Sequence, residues 1–166
     1  WAFDEYHNWL SGVGPETKER PVHGIPNLPQ EKGYHRKAFD WGPTKGNDET
    51  LTRDHRTASW AAEQLNTRDF DRKPFFMAIG FHQPHLQWYV PQKYFDMYPL
   101  EEVEMPRTLA TDREDIIDEK GRPLYPPSTT WERMEAFDKH REAVRAYMAA
   151  VTFVDDCIGV LLDGLN

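Results

Sequence analysis

The chain is 166 residues long, enough for one domain with a buried core, and carries a formal net charge of −8. That charge excludes a general nucleic-acid binder, which needs a basic surface to neutralise phosphates, and no Lys/Arg-rich run with interleaved aromatics offsets it. Hydrophobic content of 39%, 13 prolines and a mean hydropathy of −0.80 are low for a compact domain of this size and suggest a piece of something larger. The first residue is Trp1, and residues 161–166 end where a helix would hand over to the next element, so the chain reads as an internal segment of a longer protein. No apolar run approaches the roughly 20 residues of a membrane helix, and no signal-peptide pattern lies within the chain. The expectation is therefore no membrane and no nucleic acid among its partners.

Residues 1–50 read as one long irregular loop, interrupted by Gly12, Gly14, Pro15, Pro21, Gly24, Pro26, Pro29 and Gly33. A loop of that length is functional or wraps another part of the protein. Its aromatics Trp1, Phe3, Tyr6, Trp9, Phe39 and Trp41 are packing anchors first, although one or two could line a substrate cleft. Residues 54–65 predict the first helix, with Ala58, Ala61, Ala62 and Leu65 at helical spacing and Thr52 or Asp54 available as its N-cap. A polar turn follows. The continuous apolar run over residues 74–81 then reads as a buried strand, so helix, turn and strand make half of an α/β unit.

That run stops at His82-Gln83-Pro84-His85. In open α/β sheets, ligands collect beyond the carboxyl ends of strands, and an imidazole there can bind an anion, hold a metal or move a proton. Structural hydrogen bonding at a strand end is the competing reading. Pro84 forbids the helix that a His-Glu-x-x-His zinc site requires, but it restrains its own backbone and that of Gln83, so the two rings are held. Held donors are what an anionic transition state needs. No third ligand stands at a recognised spacing for a catalytic metal.

Beyond the histidines, Pro91 and Pro99 delimit a short helix. Residues 100–135 read as a second irregular loop, in which the acidic clusters 101–104 and 112–119 could hold a hard cation or, lacking regular ligand spacing, form solvated surface. From residue 137 to 165 the chain predicts a helix whose core face is Val144, Tyr147, Met148, Val151, Ile158, Leu161, Leu162 and Leu165. Asp155 falls on that face and would need a partner, either as a structural anchor or beside a site. Cys157, the single cysteine, forms no internal disulfide and reads as a small core residue.

Three collinear motifs carry a family likeness. Pro74-Phe75-Phe76-Met77-Ala78-Ile79-Gly80-Phe81-His82-Gln83-Pro84-His85, followed by Tyr89-Val90-Pro91-Gln92-Lys93-Tyr94-Phe95-Asp96-Met97-Tyr98-Pro99, resembles the middle of a sulfatase of the iduronate-2-sulfatase-like kind. Phe39-Asp40-Trp41-Gly42-Pro43 with residues 58–65 resembles the segment before that strand, and residues 145–162 resemble the helix preceding the family's second metal-ligand strand.

The resemblance implies an α/β fold: part of an alkaline-phosphatase-like sandwich, a mostly parallel sheet with helices on both faces, with 1–166 an internal segment of a single catalytic domain. It implies sulfate-ester hydrolysis using a calcium ion and a formylglycine made from cysteine. His85 matches the position that contacts the sulfate group, as catalytic and substrate-binding residue, while His82 matches a supporting position at most. The Cys-x-Pro-Ser-Arg motif and the paired metal-binding aspartates of the family are missing, and neither Cys157 nor Asp155-Asp156 replaces them. The segment alone is thus expected to be inactive, without a calcium site of its own. A phosphodiesterase or phosphonate hydrolase of the same superfamily, and a non-catalytic module that kept the fold, remain alternatives. By analogy the substrate is a sulfated sugar, the main partner is the remainder of the parent polypeptide, and that parent is exported to the periplasm, the extracellular space or a lysosome.

Overall fold

The computed structural model describes residues 39–44, 47–68, 74–109, 111–124 and 129–165. Trp1, Phe3, Tyr6 and Trp9, with most of the 1–50 segment, lie outside them. In chain order the elements are β1 (Trp41–Pro43), α1 (Arg53–Thr67), β2 (Trp88–Val90), α2 (Gln92–Asp96), α3 (Thr129–Ala136) and α4 (His140–Asp163), with 3₁₀ turns at Glu49–Leu51 and Leu100–Glu102.

Helix α1 begins where Thr52, in extended backbone, offers its hydroxyl oxygen to the His55 N–H. That satisfies one of the donors a helix start leaves without an intrahelical partner. Asp54 follows in the first turn, where a carboxylate meets the positive end of the helix dipole. On either side of α1, β1 and β2 pair in parallel with Trp41 opposite Trp88, Gly42 opposite Tyr89 and Pro43 opposite Val90. Parallel neighbours need a crossover, and the chain makes it through α1, giving the expected α/β arrangement on a small scale.

Two predicted elements differ from what the structure contains. Residues 74–81 belong to no ladder, and Phe75 and Phe76 are 49% and 80% exposed. A strand exists only through partners for its N–H and C=O groups, and among the described residues no neighbour pairs with 74–81. The predicted helix 137–165 is α4, but a separate helix, α3, occupies the end of the predicted loop 100–135. Asp138 adopts φ of 50°, a left-handed conformation that Asp tolerates better than most residues, and it separates the two helices.

The larger correction concerns α4. Its buried side is Ala143, Ala146, Ala149, Ala150, Phe153 and Cys157, whereas Tyr147, Val151, Ile158 and Leu162 of the predicted face are exposed. This helix is apolar on more than one side, so periodicity finds the helix without choosing the face that packs. The alanines allow a close approach to Ala58 and Ala61 of α1, and the core is completed by Trp41, Val90, Tyr94 and Phe95. Asp155 is exposed as well, so the anchor its predicted burial demanded is unnecessary. Burial, and then Asp156, push the Tyr94 hydroxyl well above the usual phenol range.

α4 also organises the segment after β2. Arg145 donates through Nε and Nη2 to the Phe95 carbonyl, Arg141 donates to the Val103 carbonyl at 2.7 Å, and Thr152 meets the Tyr98 hydroxyl. The acidic clusters are solvated: Glu101, Glu102 and Glu104 are exposed, and Asp118 folds back on the Lys120 and Arg122 amides.

Just past α4, a Cβ on Gly164 would stand 2.6 Å from the Ala62 Cα and 2.8 Å from its Cβ. Backbone cannot step aside cheaply, so Gly164→Ala is expected to destabilise the protein by about 1–3 kcal/mol, the range for overpacking. Gly159, with nothing within 4 Å of its virtual Cβ, provides the control. Gly159→Ala should stabilise by up to about 1 kcal/mol through helix propensity, and denaturant unfolding of the two variants reads the opposite signs.

Candidate active site

The histidines sit in a loop over residues 80–87 that leads into β2. Asp54 Oδ1 accepts the His82 N–H at 2.8 Å and Asp54 Oδ2 accepts the Gln83 N–H at 2.7 Å. The His85 N–H closes the turn on the His82 carbonyl at 2.9 Å. Trp88 Nε1 donates to the Pro84 carbonyl at 2.7 Å, and Gln83 Nε2 donates to the Gln87 carbonyl at 3.1 Å. The Gln83–Pro84 and Leu86–Gln87 peptide bonds are cis. Trp88 in turn packs edge-on against Tyr147 of α4 and Phe39, so the loop rests on the core. Phe39 also meets the buried Trp41 edge-on, which gives both aromatics the packing role anticipated for them.

The two imidazoles lie with centroids 5.0 Å apart and planes at 35°. His85 is exposed, and its Nδ1 is 2.7 Å from the Leu86 carbonyl oxygen. A carbonyl only accepts, so Nδ1 carries the hydrogen and Nε2 is the nitrogen that changes protonation. Neutral, that nitrogen accepts a hydrogen bond; protonated, it donates one and carries charge. His82 is half-buried, and burial, then the Arg53 guanidinium, push its pKa below the usual histidine value. Asp54 and a hydrogen bond to the Leu86 backbone pull the other way, and His85 adds to the lowering. Burial thus favours the uncharged form of the His82 ring.

Sequence reading missed Asp54. It was weighed as an N-cap, but Thr52 takes that place and releases the Asp54 carboxylate to face the loop. An acidic residue two positions after a competent cap was the available signal. An open cavity of about 450 Å³ is lined by Phe39, Arg113, Thr130, Trp131 and Met134, and neither histidine belongs to its wall. Among the described residues, no helix is long and apolar enough to cross a membrane.

The sulfatase family profile matches residues 3–166, nearly the whole chain. The chain belongs to the sulfatase family. A protein named Sulfatase from Formosa agariphila is 37% identical over 170 residues, covering 99% of this chain and 32% of that protein. Iduronate 2-sulfatase from Homo sapiens is 28% identical over 127 residues, and that from Mus musculus 27% over 130, each match covering 68% of this chain and 22% of the relative. This sulfatase chain thus spans about a third or less of the length of these curated relatives. No solved structure matches it significantly.

Membership implies an alkaline-phosphatase-like α/β fold, of which the described residues carry helices and a small parallel sheet. It also implies calcium and a formylglycine, and the described residues fit neither. Among the described residues no three His, Cys, Asp or Glu side chains gather around a cation position. Cys157 is buried in the core of α4.

Proposed function

We propose that this chain is the central segment of a sulfuric-ester hydrolase, to which it contributes His85 as the residue that contacts the sulfate group. One observation carries the reading: an exposed imidazole with Nδ1 engaged by the Leu86 carbonyl, on a loop whose backbone is tied to α1. Protonated at Nε2, such a ring donates a charge-assisted hydrogen bond to a sulfate oxygen, or gives its proton to the departing alkoxide as general acid. His82, half-buried and with its charged form disfavoured by burial, supports the loop and is the weaker substrate contact. Residues 1–166 belong in this reading to a single catalytic domain, a mostly parallel sheet covered by helices on both faces. The nucleophile and the metal ligands come from polypeptide outside the chain. The two iduronate 2-sulfatases among the relatives favour a sulfated sugar as substrate.

The test compares the full-length enzyme on sulfate and phosphate esters of one alcohol, with the 166 residues alone as control. Preference for the sulfate ester, and no turnover by the isolated chain, are expected. Preference for the phosphate ester would move the enzyme to the phosphodiesterases of the superfamily. Absence of turnover on both would make the protein a non-catalytic module.

A further inference from the structure

We infer that Asp54 is the positioning residue for His85, an inference that rests on the reading of His85 as the sulfate contact. Asp54 is 3% exposed, and both its carboxylate oxygens are committed to consecutive main-chain amides, those of His82 and Gln83, 28 and 29 positions further along the chain. A buried carboxylate is tolerated where hydrogen bonds and countercharge replace water, and Arg53 Nε lies 3.8 Å from Oδ1. Because Thr52 caps α1, the geometry does not need Asp54 for the helix start.

From this anchor the constraint passes to the histidine in two short steps. His82 is gripped at its N–H by Asp54 and at its carbonyl by the His85 N–H. Gln83 is gripped at its N–H, and Pro84, with its ring-fixed φ, joins it to His85. The position of the imidazole is therefore set from the first turn of α1. A displacement of about 1 Å in a catalytic group can cost about 100-fold in rate, so the carboxylate acts on catalysis without touching substrate.

Asp54→Asn keeps the size of the side chain but sets an NH₂ group against one of the two backbone donors. In the full-length enzyme acting on an aryl sulfate, this variant is expected to lower kcat/KM by about 100-fold. In a His85→Ala background the same substitution should lower it by less than about 3-fold, because nothing is left to position. An equal loss in both backgrounds, the signature of a merely structural carboxylate, would overturn the inference. So would a silent Asp54→Asn beside a damaging His85→Ala, and that result would leave the sulfate contact intact. A silent His85→Ala would remove the contact and the positioning role together. Should the Asn variant fail to fold, hydrogen exchange of the His82 and Gln83 amides in the unsubstituted enzyme decides: protection is expected, and exchange at free-peptide rates would dismiss the clamp.

Discussion

Replacing His85 with Ala in the full-length sulfatase is expected to lower turnover of a sulfate ester by about two orders of magnitude or more, the usual scale for a general acid. The expectation follows from the ring's hydrogen-bond arrangement. With Nδ1–H spent on the Leu86 carbonyl, Nε2 is the atom that can meet the substrate, and it does so with a charged N–H only when the ring is protonated. Alanine removes the donor and its proton, and the neighbouring His82 is a poor substitute, because burial and then Arg53 disfavour its charged form. The choice between oxygen contact and general acid is visible in the leaving group. If the imidazole protonates the alkoxide, the variant loses far more on an alkyl sulfate than on a nitrophenyl sulfate, whose anion leaves unaided. A uniform loss on both assigns the ring to the sulfate oxygens, and near-normal turnover on both removes His85 from the site.

The second large effect lies in the core. Phe153→Ala is expected to destabilise the fold by about 3–5 kcal/mol, the range for removing a buried aromatic ring. Phe153 is 2% exposed and meets the Tyr94 ring edge-on, with centroids 5.3 Å apart and planes at 68°. Tyr94 is itself fully buried in the core cluster, so the cavity left by alanine is walled by groups already held by their own packing. Denaturant unfolding measures the loss, and a value below about 1 kcal/mol would mean that the surroundings refill the space.

The sequence was most legible where a local rule decides the outcome. Alanine spacing and a Thr or Asp cap placed α1 within a residue or two, and Pro91 and Pro99 bracket α2 as expected. It was least legible where distant partners decide. The run 74–81 has the composition of a strand, but composition supplies no neighbour for its backbone. In α4, the bulky aliphatic stripe outweighs the alanines in any periodicity count, although helix packing here favours the side that lets two backbones come close. The histidines were identified by type and by the proline between them. Their support was not, because the link from Asp54 joins positions 28 and 29 residues apart and leaves no periodic trace.

The outward side of α4 has a consequence for anyone handling these residues. Tyr147, Val151, Ile158 and Leu162 fall four to seven positions apart and are partly exposed, between 38% and 52%. At 1.5 Å per residue they make a greasy strip about 22 Å long. Burying a fully exposed side chain of this kind is worth about 1.5–3 kcal/mol, and these four have roughly half of that left to gain. Light scattering and dilution belong beside any stability curve measured on the 166 residues in isolation, since self-adhesion there would masquerade as cooperativity.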